Sequence, residues 1–119
     1  MADLGLPMLS SEAAVQGQLD AYNARDLGQF LTYYADDISG FRLGGDGPIF
    51  VGKQAMHDHY AAPFQRLDVR AALVNRIVVG NKVFDHERLT GNDRPAFDAV
   101  VIFRVIDGLI STVWLADGT

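Results

Sequence analysis

The sequence predicts an α+β fold, in which helices from the first half of the chain pack on one face of a curved β-sheet. Up to Ala62 the apolar residues recur with helical spacing, whereas from Leu67 onward segments rich in Val, Ile and Phe are separated by turn signals. The 119 residues show no break in composition. We therefore expect a flexible segment over residues 1–9 and a single domain over residues 10–119.

The first helix is indicated by a cap and an apolar stripe. Ser10 and Ser11 can cap a helix in which Val15, Leu19 and Tyr22 recur at i, i+4 and i+7. These three side chains lie on one face of a 3.6-residue period. The helix is expected to end near the segment "NARD".

Two more helices follow. Asp26 is a second candidate N-cap, with Gln29 as its capping-box partner. A third helix is expected to begin at about Lys53 and to end at Ala62, because Pro63 disfavours helical geometry in the residue before it. The buried stripe predicted for the second helix consists of Leu27, Phe30, Leu31 and Tyr34.

The second half of the chain predicts an antiparallel meander. The turn signals "VGNKV", "TGNDRP" and "IDGLI" divide it into strands. The segments around Gly80 and Asn81 form one hairpin, Phe97 to Val105 a third strand, and Leu109 to Leu115 a fourth. Ile38 to Leu43 is expected to add an edge strand, after which "GGDGP" forms a turn.

Composition excludes several classes of protein. The net charge is −5 and no Lys/Arg cluster is present, so the chain lacks the basic surface that nucleic acid requires. No stretch approaches the roughly 20 apolar residues of a membrane span. Cysteine is absent, which excludes disulfides, thiolate nucleophiles and sulfur-ligated metals. We expect a cytoplasmic protein that binds neither nucleic acid nor membrane.

Three segments resemble the signatures of the nuclear-transport-factor-2-like superfamily: "YNARDLGQFLTYYADDI", "FVGKQAMHDHYAAPF" and "DGLISTVWLAD". The resemblance extends from Ser11 to Asp117 and is greatest to small bacterial members, which include ketosteroid isomerase and the SnoaL-like polyketide cyclases. It implies a cone-shaped, cystatin-like α+β barrel in which a curved mixed or antiparallel sheet and three helices enclose one deep pocket. It also implies a homodimer packed through the outer face of the sheet.

The resemblance to the isomerase assigns residues to its known roles. Tyr34 and Tyr60 match tyrosines of its hydrogen-bond network. Gln18 stands where the isomerase has its oxyanion tyrosine, and Val101 where it has a protonated aspartic acid. Arg42 falls at or next to the position of the base, and an arginine cannot act as a base near neutral pH. Steroid isomerisation is therefore not expected. An inward Arg42 could bind a carboxylate or enolate, and an outward one would be a solubilising residue of the edge strand.

The last strand also departs from the family pattern. SnoaL-like members often carry a histidine before and an aspartate after the tryptophan of this strand, whereas Val113 and Leu115 flank Trp114 here. Trp114 alternates out of phase with its two neighbours, so we assign it to the outer, dimer-forming face.

The segment "KVFDHERLTG" concentrates ionisable residues in one strand. Alternation places His86 and Arg88 on one face and Asp85 and Glu87 on the other. The resemblance places the face of His86 inward, which predicts a general acid or base; alternatively, His86 is a hydrogen-bonded core residue. Asp85 and Glu87 are expected to be solvated or at the dimer rim.

These features predict a pocketed dimer that binds a small apolar molecule carrying an oxygen function. If it is an enzyme, we expect isomerase, cyclase or hydratase chemistry without a cofactor; the alternative is a non-catalytic ligand-binding or interaction domain. A metal is not expected, because His57 and His59 lie on different faces of a helix. The candidate catalytic residues are His86, Arg42 and Tyr34, and the expected pocket residues are Gln18, Tyr22, Tyr60, Phe84, Phe97, Val101, Phe103, Val113 and Leu115.

Overall fold

A computed structural model describes residues 8–66, 68–91 and 93–117, which form three helices and a six-stranded sheet. The helices are α1 (Ser11–Asn23), α2 (Leu27–Leu31) and α3 (Lys53–Arg66). The strands are β1 (Tyr34–Arg42), β2 (Pro48–Val51), β3 (Arg70–Val79), β4 (Lys82–Thr90), β5 (Phe97–Ile106) and β6 (Leu109–Asp117). Most of the predicted flexible segment, residues 1–7, lies outside the described residues.

Both predicted caps of the first two helices are present. The Ser10 side chain accepts a hydrogen bond from the backbone N–H of Ala13, and Asp26 accepts one from Gln29. Helix α2 is nevertheless shorter than its apolar stripe suggested. Tyr34 is buried as the first residue of β1, because the chain changes there from the helix layer to the sheet.

Helix α3 continues to Arg66, so the prediction that it ends at Ala62 was wrong. Pro63 lies inside its last turn and removes one backbone N–H donor. The continuation buries Phe64, whose ring packs against the rings of Tyr22 and Phe30 at centroid distances of 5.3 Å each. This aromatic packing offsets the lost hydrogen bond.

The strands are arranged in the order β2-β1-β6-β5-β4-β3. Strands β3 to β6 form the predicted antiparallel meander. Strand β1 pairs in parallel with β6 and antiparallel with β2, so it is an inner strand and the prediction of an edge strand was wrong. The edge on that side is β2, a short strand that the sequence analysis missed because it follows the Gly- and Pro-rich turn directly.

The helices pack on the inner face of the sheet and form one core with it. Gly40 in β1 permits close packing at the bend, since a Cβ atom there would lie 2.5 Å from the ring of Phe50 in β2. In the part of the chain that the structure describes, no helix is long and apolar enough to cross a membrane.

Candidate active site

A cavity of about 360 Å³ opens between the helices and the inner face of the sheet. Its size falls within the range of small-molecule sites. Most of the residues expected from the sequence line it: Gln18, Tyr22, Tyr34, Arg42, Tyr60, Phe97, Val101, Phe103, Val113 and Leu115. Trp114 does not line this cavity and lies on the outer face, where its ring stacks on Phe41.

The face of β4 that looks into the cavity is the opposite of the predicted one. Val83, Asp85 and Glu87 are buried on the inner side, and the predicted inward residues Phe84 and His86 point outward. The strand register fixes this orientation, because Glu87 pairs with Ala99 of β5, which also lines the cavity. A shift of one residue in a strand exchanges its two faces, and the resemblance had placed β4 one residue out of phase.

His86 therefore does not line this cavity, and its predicted role in proton transfer there loses its structural basis. Its Nε2 lies 2.8 Å from Oδ2 of Asp98, whose Oδ1 accepts a hydrogen bond of 2.8 Å from Arg88. These hydrogen bonds, from His86 first and Arg88 second, lower the pKa of Asp98. The three side chains form a charged cluster on the outer surface of the sheet.

Glu87 places a buried carboxyl group in the cavity wall. The residue is 5% exposed, and its carboxyl makes no hydrogen bond or ion pair with any other described residue. Burial and, second, the nearby Asp85 carboxylate raise the pKa of Glu87 from 4.5 to about 7, with Arg76 opposing them. An acid with this pKa can both accept and release a proton near neutral pH. The expectation that Glu87 is a solvated surface charge was wrong.

Asp85, the neighbouring acid on the same face, has a structural partner. It is fully buried and accepts hydrogen bonds of 2.7 and 2.9 Å from Nε and Nη2 of Arg76 in β3. Arg76 also donates to the Gln16 side chain of α1. Because Asp85 is neutralised by a bidentate ion pair while Glu87 is not, the two acids have different roles.

Hydroxyl and amide groups line the cavity near its floor. The Tyr34 hydroxyl donates to Oε1 of Gln18 at 2.9 Å, and Nε2 of Gln18 donates to the Val15 carbonyl. The Tyr60 hydroxyl has no hydrogen-bond partner among the described residues. Burial, followed by Tyr22 and Glu87, raises the pKa of Tyr60, which keeps this hydroxyl protonated as a hydrogen-bond donor.

The mouth of the cavity carries a group of opposite charges. Nη1 of Arg42 lies 3.6 Å from Oδ2 of Asp117, and Nη1 of Arg94 lies 3.9 Å from the same oxygen. The Arg94 guanidinium sits over the ring of Phe97, 3.6 Å from its centroid. Of the two orientations open for Arg42 from its sequence, the structure shows the inward one.

Fold and cavity together define a cone-shaped α+β protein with one face of its sheet turned toward an internal pocket. The chain belongs to the SnoaL-like domain family, which matches it over residues 15–113. This confirms the resemblance to small bacterial members of the nuclear-transport-factor-2-like superfamily. A comparison with curated proteins gives no match.

Solved structures of bacterial proteins share this fold. An uncharacterised cystatin-fold protein from Novosphingobium aromaticivorans superposes with a TM-score of 0.82 at 25% identity, over 90% of this chain and 97% of that chain. An epoxide hydrolase from M. tuberculosis gives a TM-score of 0.77 at 18% identity, over 91% and 82%. A SnoaL-like protein of unknown function from Burkholderia thailandensis gives a TM-score of 0.76 at 19% identity, over 92% of this chain and 95% of that chain.

Glu87, Arg94 and Asp117 are the polar cavity residues that the sequence analysis missed. One signal could have found Glu87: its face of β4 also carries Val83 and Leu89, whereas the opposite face carries one apolar residue, Phe84, with His86 and Arg88. The face with more apolar residues is the better candidate for the inner side of a sheet.

Proposed function

We propose that the protein binds a small, largely apolar molecule carrying an oxygen function and catalyses proton transfer on it, with Glu87 as the general base or acid. The observation that carries this proposal is the buried Glu87 carboxyl, which faces an apolar cavity without a hydrogen-bond partner among the described residues. Asp85 is an acid of similar burial, but it is held by Arg76, so it serves the architecture.

The arrangement suits removal of a proton from a carbon next to a carbonyl group. The Glu87 carboxylate takes the proton, and the electron pair of the C–H bond moves toward the carbonyl oxygen to form an enolate. The Tyr60 hydroxyl donates a hydrogen bond to that oxygen, where negative charge develops. Return of the proton at another carbon of the conjugated system completes an isomerisation, whereas return at the same carbon gives hydrogen exchange. The same two groups could assist cyclisation, or attack by water on an epoxide as in the hydrolase with this fold.

Deuterium exchange provides a direct test. Acetophenone, an apolar ketone, is incubated with the protein in heavy water, and exchange of its methyl protons is followed by NMR. We expect exchange whose rate rises with pH through about 7, because the carboxylate is the active form of the base. Glu87→Gln should reduce the rate by about 100-fold or more.

His86→Gln is the matched control, since His86 is the neighbouring ionisable residue on the opposite face. It should leave the rate unchanged. Full activity in Glu87→Gln, or loss of activity in His86→Gln alone, contradicts the assignment of the base. Ligand binding without exchange in the wild-type protein favours the alternative, a non-catalytic binding domain.

We further propose that the protein forms a homodimer through the outer face of the sheet. One apolar residue from each of five adjacent strands lies in register across this face, and Lys82 and Arg104 lie beside the row on one side. A continuous apolar row of this kind resembles the centre of a protein interface. The row consists of Phe41, Trp114, Ile102, Phe84 and Ile77.

Sedimentation equilibrium tests the dimer. Ile102→Lys places a charge at the middle of the row and should give monomers at concentrations where the wild-type protein is dimeric. Ile106→Lys is the control, since Ile106 is an exposed apolar residue of the same strand outside the row. A wild-type monomer, or an Ile102→Lys dimer of unchanged affinity, contradicts the proposal.

A further inference from the structure

The mouth of the cavity holds two arginines against one acid, although the chain as a whole carries a net charge of −5. The side chains of Arg42 and Arg94 are 59% and 43% exposed, whereas that of Asp117 is 20% exposed. The guanidinium groups are therefore accessible to a molecule entering the cavity, and together with Asp117 they leave one positive charge in excess.

Neither guanidinium is saturated by Asp117. The distances of 3.6 and 3.9 Å exceed the 2.7–2.9 Å of a charge-assisted hydrogen bond, which the Arg76–Asp85 pair in the same protein does achieve. Neither Arg42 nor Arg94 donates a side-chain hydrogen bond to another described residue. Each guanidinium has five N–H donors, so most of them remain available to a ligand.

Stacking on Phe97 orients the Arg94 group. The ring covers one face of the guanidinium, and the N–H donors, which lie in the guanidinium plane, stay free. A planar fork of donors that is already held in place loses little conformational freedom on binding a carboxylate. Such a fork matches the two oxygens of a carboxylate geometrically.

We propose that the mouth is a carboxylate-binding site, in which Arg42 and Arg94 release Asp117 and bind the carboxylate of the ligand. This inference rests on the proposed function, because it concerns the same ligand. The reactive carbon of that ligand lies at Glu87, and its carboxylate lies at the mouth of the cavity. The substrate class is then an apolar oxo acid: an acid with a hydrophobic body and a carbonyl group.

The strand register sets the separation of the two ends. Glu87 of β4 pairs with Ala99 of β5, which pairs with Asp117 of β6, so the two acids lie on one row across three strands. Two strand spacings correspond to about 10 Å between their backbones. After allowance for both side chains, a few bonds separate the reactive carbon of the ligand from its carboxylate.

The probe is γ-benzoylbutyrate, an aryl ketone with a carboxylate, and its methyl ester is the neutral match. Dissociation constants of both are measured by calorimetry. We expect the acid to bind at least about 10-fold more tightly than the ester, and the Arg42→Gln/Arg94→Gln double variant to lose this preference without losing affinity for the ester. Asp117→Asn should tighten binding of the acid, because it removes the competing internal carboxylate.

Arg70→Gln is the control for net charge, since Arg70 is an exposed arginine of β3 that does not line the cavity. It should retain the wild-type preference. Equal binding of acid and ester, no binding of the acid at millimolar concentration, a preference that survives in the double variant, or unchanged binding of the acid in Asp117→Asn overturns the proposal.

Proton exchange beside the ketone of the same two probes separates this inference from the proposed function. Preferential binding of the acid without Glu87-dependent exchange supports the carboxylate site and contradicts proton transfer. Glu87-dependent exchange at equal efficiency on acid and ester supports proton transfer and contradicts the carboxylate site.

Discussion

Replacement of Glu87 by Gln should make the folded protein more stable at alkaline pH. The folded state binds the Glu87 proton more tightly than the unfolded chain does, since the folded pKa is about 7 and the ordinary value is 4.5. The stabilisation from this proton is therefore fully present below pH 4.5 and is lost as pH rises through about 7. The full difference between the two pKa values corresponds to about 3 kcal/mol in the free energy of unfolding.

Over a practical window the effect is smaller but measurable. Between about pH 5.5 and about pH 8.5 the wild-type protein should lose about 2 kcal/mol of stability through this group, a loss that Glu87→Gln cannot undergo. Urea unfolding at both pH values gives the free energies. The free energy of unfolding falls by about 1–3 kcal/mol per molar urea. The urea midpoint of Glu87→Gln relative to wild type should therefore be roughly 1 M higher at pH 8.5 than at pH 5.5.

Asp37→Asn provides the matched control, because it removes one carboxylate from an exposed position on β1. Its difference from wild type should be nearly the same at both pH values. Parallel pH profiles for Glu87→Gln and wild type would show that folding does not raise the pKa of Glu87. Both the acid–base assignment and its physical basis would then fail.

Further predictions concern the supports of the site. Arg76→Met should destabilise the fold by about 3 kcal/mol at neutral pH, because it leaves the buried Asp85 carboxylate without its partner. A second change in the same protein, Asp85→Asn, should restore most of that loss, as measured by urea unfolding. Gly40→Ala should cost about 1–3 kcal/mol, since the new methyl group would overlap the Phe50 ring; a midpoint equal to wild type in thermal unfolding would refute this packing.

Local patterns in the sequence were sufficient for the helix starts and the meander. Ser10 and Asp26 cap their helices through contacts within three residues, and the turns around Gly80 and Gly108 join strands that are neighbours in the chain. The parallel partner of β1 could not be predicted in this way, because β1 and β6 are distant in sequence. Their pairing depends on how the whole sheet packs on the helices.

The buried face of β4 could not be predicted from the residues of β4 alone. Both faces mix apolar and charged side chains, so alternation separates Glu87 from His86 without showing which of them is buried. Charged residues are usually exposed, which made Asp85 and Glu87 appear to be surface residues. The burial of Asp85 depends on its ion pair with Arg76 across the β3–β4 hairpin, and that of Glu87 on a cavity that exists only after folding.

The parallel pairing of β1 with β6 has a consequence for how the protein reaches its native state. Tyr34 lies beside Ile110, and Arg42 beside Leu115, so the chain must close a long loop before these contacts form. Such contacts raise contact order and slow folding. We expect the β3 to β6 meander to assemble early and β1 to dock late. The ligand cavity, which needs residues from both, would then be completed in the last step of folding.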